Sequence, residues 1–284
     1  MSDSRPTGIV ARFQALFGDV RPGEGASVVL LAANVFLLLT AYYLLKTVRE
    51  PLILVGGGAE VKSYAAAGQA VLLLGVVKGF DALSRRYGRM KLIAVTMSFF
   101  IGSLLVFVLL GKLGVPIGVP FYLWLGMFNM SAVAQFWSLA NDVYTTEQGK
   151  RLFAMIGLGA SLGGILGAAF ARALVVALSP YLMMLIAAGL LGACLALSFA
   201  VDRRERPTTK SKELAPIGGE TAISMLLRDR YLLTIALLVV LINLVNTNGE
   251  YILDRTLVEV TQGKFATEKE MYAYIGAFKA EYFF

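Results

Sequence analysis

Long, continuously apolar runs joined by short charged connections occupy most of the chain. They fall at roughly 26–45, 63–80, 91–111, 117–140, 152–178 and 180–201, with a seventh over about 231–253. Each approaches or exceeds the ~20 residues that a helix needs to cross ~30 Å of hydrocarbon at 1.5 Å per residue. Barrel strands would alternate apolar and polar positions, and these runs do not. The pattern predicts an all-α polytopic membrane protein with a six-helix bundle, a seventh helix and the start of an eighth. That start lies at 271–284, where a new apolar segment is cut off at Phe284 after a few turns. A helix ended inside a bilayer leaves carbonyls without partners, so the chain reads as a fragment of a longer protein. The first run is too long for the apolar core of a signal peptide and lacks a small-residue cleavage site after it.

Lysine and arginine set the orientation. Arg5, Arg12 and Arg21 precede the first span, Arg85, Arg86, Arg89 and Lys91 fill the second connection, and Lys150 and Arg151 the fourth. The sixth is densest, with Arg203, Arg204, Arg206, Lys210 and Lys212. The bias predicts a cytoplasmic N-terminus and makes the net charge of +7 topological. No nucleic-acid partner is implied. Four regions follow: a cytoplasmic segment 1–25, a six-helix bundle 26–201, a basic linker 202–230, and an incomplete second half 231–284. Within the first, Ile9, Val10, Phe13, Leu16 and Phe17 share one helical face over 8–17, as an interfacial helix would. Composition removes further classes: 57% of residues are apolar and 16% charged, there is no histidine, and Cys194 is the single cysteine. Histidine-dependent triads, His/Cys zinc sites and intramolecular disulfides are excluded, and neither a catalytic constellation, a metal site nor a cofactor is predicted.

Charges at bilayer depth are the informative residues, because each costs ~2.5–3.5 kcal/mol on insertion scales unless it meets water or a partner. Tyr42, Lys46, Arg49 and Glu50 share a face near the end of the first span, just before Pro51, which is expected to bend the helix. They form either an anion site near the outer mouth or a snorkelling pair with an attached carboxylate. The fourth span carries Asn129, Gln135, Ser138, Asn141 and Asp142, either interhelical glue or cavity lining. The seventh carries Asn243, Asn246, Thr247 and Glu250 on one face; Glu250 is either functional or a plain helix end, since Asp254 and Arg255 follow. Gly159, Gly163 and Gly167 make consecutive GxxxG spacings, which let a neighbouring helix approach backbone to backbone. Six helices, a linker and further helices match the plan of a secondary transporter. Polarity concentrated in the last third of oppositely directed spans matches two inverted three-helix repeats within the first bundle.

The connection Leu83-Ser-Arg85-Arg86-Tyr87-Gly88-Arg89-Met-Lys91 resembles the second-to-third helix loop of the major facilitator superfamily, with Arg85 where that loop has its acid. A closer resemblance is to the ATP/ADP translocase family of nucleotide transporters. It is carried by Leu44-Leu-Lys46-Thr-Val-Arg49-Glu50, by Phe136 to Phe153 around Asn141-Asp142-Val-Tyr-Thr145-Thr146, and by Gly249-Glu250-Tyr251 with Met271 to Phe278. The resemblance implies a twelve-helix major facilitator-like carrier that exchanges nucleotides, with this chain as its first half, seventh helix and part of an eighth. It puts the family's basic residue at Arg49, with Lys46 beside it, and its acid at Glu250; the family's fourth-helix acid falls near Leu125. The substrate-binding set is then Lys46, Arg49, Glu50, Asn129, Asn141, Asp142, Asn246 and Glu250. The partners are a nucleotide or another organic anion and the lipid bilayer, with no oligomeric state indicated. A non-transporting anchor or sensor that works through the basic linker is the alternative of a different class.

Overall fold

The computed structural model describes residues 24–205 and 228–282. The interfacial helix expected at 8–17 and residues 206–227 of the basic linker lie outside the described residues. The described residues form seven helical elements: α1 (Gly25–Arg86), α2 (Arg89–Lys112), α3 (Gly118–Val143), α4 (Thr146–Ala177), α5 (Pro180–Arg204), α6 (Arg230–Lys264) and α7 (Glu268–Tyr282). They contain no strand.

The first two apolar runs belong to one 62-residue element whose only interior departure from helical geometry is Gly58, at φ 74° and ψ −179°. Gly56, Gly57 and Gly58 stand together there, and a positive φ is cheap where no Cβ meets the backbone. Pro51, where a bend is expected, sits inside the element with helical φ and ψ, and the chain turns seven residues later at Gly58. The proline ring is compatible with helical φ, whereas reversal of the chain needs the glycine. The two arms, 25–57 and 59–86, double back on each other. Lys62 returns to Glu50, and Arg89, just past the second arm, reaches Asp142 and Asp202 at the end of the bundle where the first arm begins.

Among the described residues, five helices are long and apolar enough to cross a membrane. The fourth predicted run, α3, is not among them, since its tyrosine, tryptophan and amide side chains dilute the apolar ones. It is held by its rings instead. Phe121 stacks on Trp124 and Trp124 on Phe128, with centroids 5.5 and 5.6 Å apart, and the Trp124 indole donates to Ser103 Oγ of α2 at 2.7 Å.

The first arm of α1 is the axis of the bundle, with α3, α4 and α5 packed around it. Gly159, Gly163 and Gly167 face Ala32, Phe36 and Thr40 in matching four-residue steps; a Cβ at Gly163 would stand 2.6 Å from the Phe36 carbonyl oxygen. Contact this close excludes any side chain. On the α5 side, buried Asn34 donates to the Cys194 carbonyl and to Ser198 Oγ, both at 2.9 Å. An interior amide is tolerated because its donors are satisfied.

α6 behaves differently. From Tyr231 to Gly249 its side chains are exposed apart from half-buried Ala236, and Asp254, Leu257 and Thr261 are its buried residues. α7 lies against α1 and α4, with Gly276 close to Val175 and Pro51. The fold is therefore a bundle of α1–α5 with an α6–α7 pair joined to it near the Gly58 turn.

Candidate functional site

Where the α6–α7 pair meets the bundle, five charged side chains form a buried chain of alternating sign. Arg49 donates from Nε to Glu50 Oε1 at 2.9 Å and from a second guanidinium nitrogen to the same oxygen. The Lys62 ammonium lies between two carboxylates, 2.6 Å from Glu50 Oε2 and 2.6 Å from Asp254 Oδ2. Lys279 of α7 pairs with the other Asp254 oxygen. Glu50, Asp254 and Lys279 are each 1% exposed. Such groups lose their hydration on burial, and removing one partner of a buried pair typically costs about 3–5 kcal/mol. Here each carboxylate has two cations, and the middle cation has two carboxylates.

Local geometry explains the arrangement. Adjacent Arg49 and Glu50 point to neighbouring faces of the first arm, and the guanidinium lies over the Tyr122 ring of α3, 4.6 Å from its centre. An arginine plane suits both a ring face and a carboxylate. The Gly58 turn brings Lys62 back beside Glu50. On α6, Asp254 turns inward with Leu257 and Thr261, while Arg255 turns outward and pairs with Glu259 at 3.0 Å. Successive helical residues differ by about 100° in direction, so Asp254 is buried although it opens an apparent charged helix end.

Lys46 and Glu250 border this chain. Lys46, one turn before Arg49, sits 5.7 Å from the centre of the Tyr43 ring. Glu250, one turn before Asp254, is half-buried. Lys46, Arg49, Glu50 and Glu250 thus belong to one neighbourhood. Across it, four cations (Lys46, Arg49, Lys62, Lys279) meet three carboxylates (Glu50, Glu250, Asp254), leaving one positive charge in excess.

The other residues grouped with them are elsewhere. Asp142 lies about twenty residues beyond Tyr122 on α3, roughly 30 Å at 1.5 Å per residue. It pairs there with Arg89 at 2.9 Å, and Arg89 also holds Asp202 at 3.0 Å. Asn141 is exposed at the same end, beside Tyr144, Thr145 and Lys150 around an open cavity of about 550 Å³. The grouping of Asn141 and Asp142 with Arg49 is corrected accordingly: helical spacing puts residues on a face but does not fix depth relative to another helix. Asn129, half-buried, sits about two turns from Tyr122, and Asn246 is exposed on α6. Gln135 is buried, and neither atom of its amide has a hydrogen-bond partner. The Asp142 end has its own ties: Glu24 accepts from Gln148 at 3.0 Å and pairs with Arg151 at 3.3 Å, and Ser27 donates to Glu205. Burial, with Glu205 and Glu24 adding, holds the Tyr144 phenol well above its ordinary range.

The family model of the Major Facilitator Superfamily matches residues 138–254, from the end of α3 to Asp254. The described residues are all-α with several helices able to cross a membrane, and residues 138–254 are similar to that superfamily. The match supports membership of that superfamily and indicates a secondary transporter, with a small-molecule substrate and a lipid environment. No curated protein and no solved structure gives a significant match.

Sequence reasoning passed over Lys62, Asp254 and Lys279 as binding-site residues. Their signal is expensive charge at depth: Lys62 stands twelve residues from Glu50 across three glycines, and Lys279 interrupts the last apolar segment. Among the described residues, no group of three or more His, Cys, Asp or Glu side chains could hold a metal ion.

Proposed function

We propose that the protein is a secondary carrier for an anionic organic substrate, a nucleotide of the ATP/ADP type being the first class to test, and that it works by alternating access. The observation that carries this reading is the cation excess beside Tyr122 and Glu250, at the junction of the bundle with the α6–α7 pair. Arg49 offers two parallel donors to a phosphate or carboxylate and Lys46 a mobile point charge. Glu250, facing them from α6, orients a sugar hydroxyl or base amine. Tyr42, Tyr43 and Tyr122 supply ring faces beside these cations. The basic connections support a reading in which the Arg89–Asp142–Asp202 end faces the cytoplasm and the Gly58 end faces outward across a bacterial inner membrane.

A specific observation favours a second cargo. One excess positive charge balances a singly charged head better than a triphosphate, and buried Leu125 stands where the resembling family has an acid. Another organic anion is therefore the alternative. Counterflow of labelled ATP or ADP into vesicles carrying the protein decides between them: saturable exchange supports the nucleotide, and uptake of a different anion without nucleotide exchange refutes it. A non-transporting anchor would leave function intact in Arg49→Ala and Glu250→Ala while losing it on charge reversal in the 202–230 linker.

A further inference from the structure

Two cavities of about 580 and 560 Å³ open between α7 and the bundle at the Gly58 end, and they share Leu52, Tyr181, Glu268 and Tyr272 as wall. The second also has Lys269 beside Glu268, so its two charges cancel. In the first, Glu268 is the one charged wall residue among the described residues; glycine, proline, aliphatic side chains and the two tyrosines make up the rest. We propose that this first cavity is a binding site for an amphipathic organic cation, a protonated amine on an apolar body. It is separate from the charge chain and independent of what the carrier moves.

The fold either fixes each polar group of this wall or leaves it unused. Thr267 and Glu270 cap α7 reciprocally, at 3.3 and 3.4 Å, so the start of the helix does not need Glu268. Among the described residues no hydrogen bond or ion pair engages the Glu268 carboxylate, whereas Glu50 and Asp254 each hold two cations. Tyr272 stands one turn further along the same face of α7. Its phenol oxygen, shut off from water, has no hydrogen-bond partner. Tyr181 is already engaged: its hydroxyl donates to the Gly111 carbonyl at 2.9 Å, and its ring lies so close on Gly111 that a Cβ there would strike it. That ring is a fixed plane in the wall.

Such a wall discriminates among ligand chemistries. An anion meets Glu268 as a like charge, and a neutral apolar molecule leaves the carboxylate unpaired. A calcium-like ion takes about six to eight oxygen ligands, which one carboxylate and one phenol do not supply. A small hydrated cation leaves the aliphatic wall in water, including Val115 and Val119, which are 43% and 38% exposed. A protonated amine with an apolar body meets every requirement. Its N–H groups donate to Glu268 and to the Tyr272 oxygen, its charge lies against tyrosine ring faces, and its body covers Leu52, Val115 and Val119. The volume falls within the ~300–1,000 Å³ usual for small-molecule pockets.

Equilibrium dialysis of the full chain in detergent, against protein-free micelles of the same detergent, measures the binding of four probes with one body: diphenylpropylamine, its trimethylammonium analogue, diphenylpropanol and diphenylpropionate. The amine is expected to bind about fivefold tighter than the alcohol, the upper end for an ion pair open to solvent, and the carboxylate to bind most weakly. Glu268→Gln brings the amine down to the level of the alcohol and leaves the alcohol unchanged. Tyr272→Phe weakens the amine about fivefold, the worth of one hydrogen bond, and leaves the trimethylammonium analogue, which has no N–H, as it was. Val119→Trp fills the cavity and removes binding of all four, whereas Lys269→Gln, outside the first cavity, does not weaken the amine. Protection of buried Cys194 from a maleimide shows that each variant is folded. The proposal is overturned if no probe binds beyond the micelle, if amine and alcohol bind alike, if Glu268→Gln keeps the preference for the amine, or if folded Val119→Trp binds the amine as before. Equal loss of the amine and its trimethylammonium analogue in Tyr272→Phe overturns the hydrogen bond, and with it the protonated amine as the ligand class.

Discussion

The contact of α4 with the first arm of α1 allows a substitution to be paired with an internal control. A Cβ at Gly163 would lie 2.6 Å from the Phe36 carbonyl oxygen and 2.8 Å from its Cα, while a Cβ at Gly157 meets nothing within 4 Å. Both are interior residues of the same helix, so alanine gains about 1 kcal/mol of helix propensity at either. The propensity term cancels in the comparison and packing remains. Ordinary contact begins near 3.4 Å, so at Gly163 the helices must part by about 0.8 Å, an overpacking that costs about 1–3 kcal/mol. Gly163→Ala is therefore expected to be less stable than Gly157→Ala by that amount. The single cysteine supplies the assay. Cys194 is 2% exposed, so alkylation by a fluorogenic maleimide during heating reads unfolding in detergent. At about 2–4 °C per kcal/mol for a chain of this order, the two midpoints should differ by several degrees. Equal midpoints would show that α4 and α1 do not approach backbone to backbone.

Further consequences concern single contacts. Asn34→Leu removes two buried hydrogen bonds, to Ser198 Oγ and to the Cys194 carbonyl, though that carbonyl still accepts from the Ser198 hydroxyl at 2.9 Å, and should cost about 1–3 kcal/mol; a circular-dichroism melt checks this without relying on the nearby thiol. Arg49→Lys keeps the charge but loses the paired donors to Glu50 and the flat contact with Tyr122; at least about a tenfold fall in counterflow efficiency is expected, since lysine cannot replace a two-donor plane. Retained efficiency would reduce Arg49 to a point charge. Arg89→Gln breaks ion pairs whose side chains are 25–37% exposed, so its effect on the melt should stay within about 1 kcal/mol. A larger loss would mean that the Asp142 end is more deeply desolvated than its exposure indicates.

The apolar runs alone were enough for the class of fold, because a bilayer demands about twenty apolar residues per crossing and hydrogen bonds satisfied inside each helix. The observed elements begin and end within a few residues of most of those runs, except where Gly58 leaves the first two as one kinked element. The GxxxG spacing announced a close approach, but only the packed structure named Ala32, Phe36 and Thr40 as its partners. Lys46, Arg49, Glu50 and Glu250 were legible as expensive charges. Their relation was not, since it depends on where α6 crosses α1. Asp142 shows the same limit from the other side: polar residues on one helical face were grouped with Arg49, yet α3 carries them to the opposite end, onto Arg89. The charge chain was least legible. Lys62, Asp254 and Lys279 are far apart in sequence, and each taken alone looks like the margin of a helix. Sequence periodicity determined which side of each helix is costly to expose. Tertiary packing decided which costly groups share a site, because ion pairing depends on depth and crossing between helices, and a one-dimensional pattern carries neither.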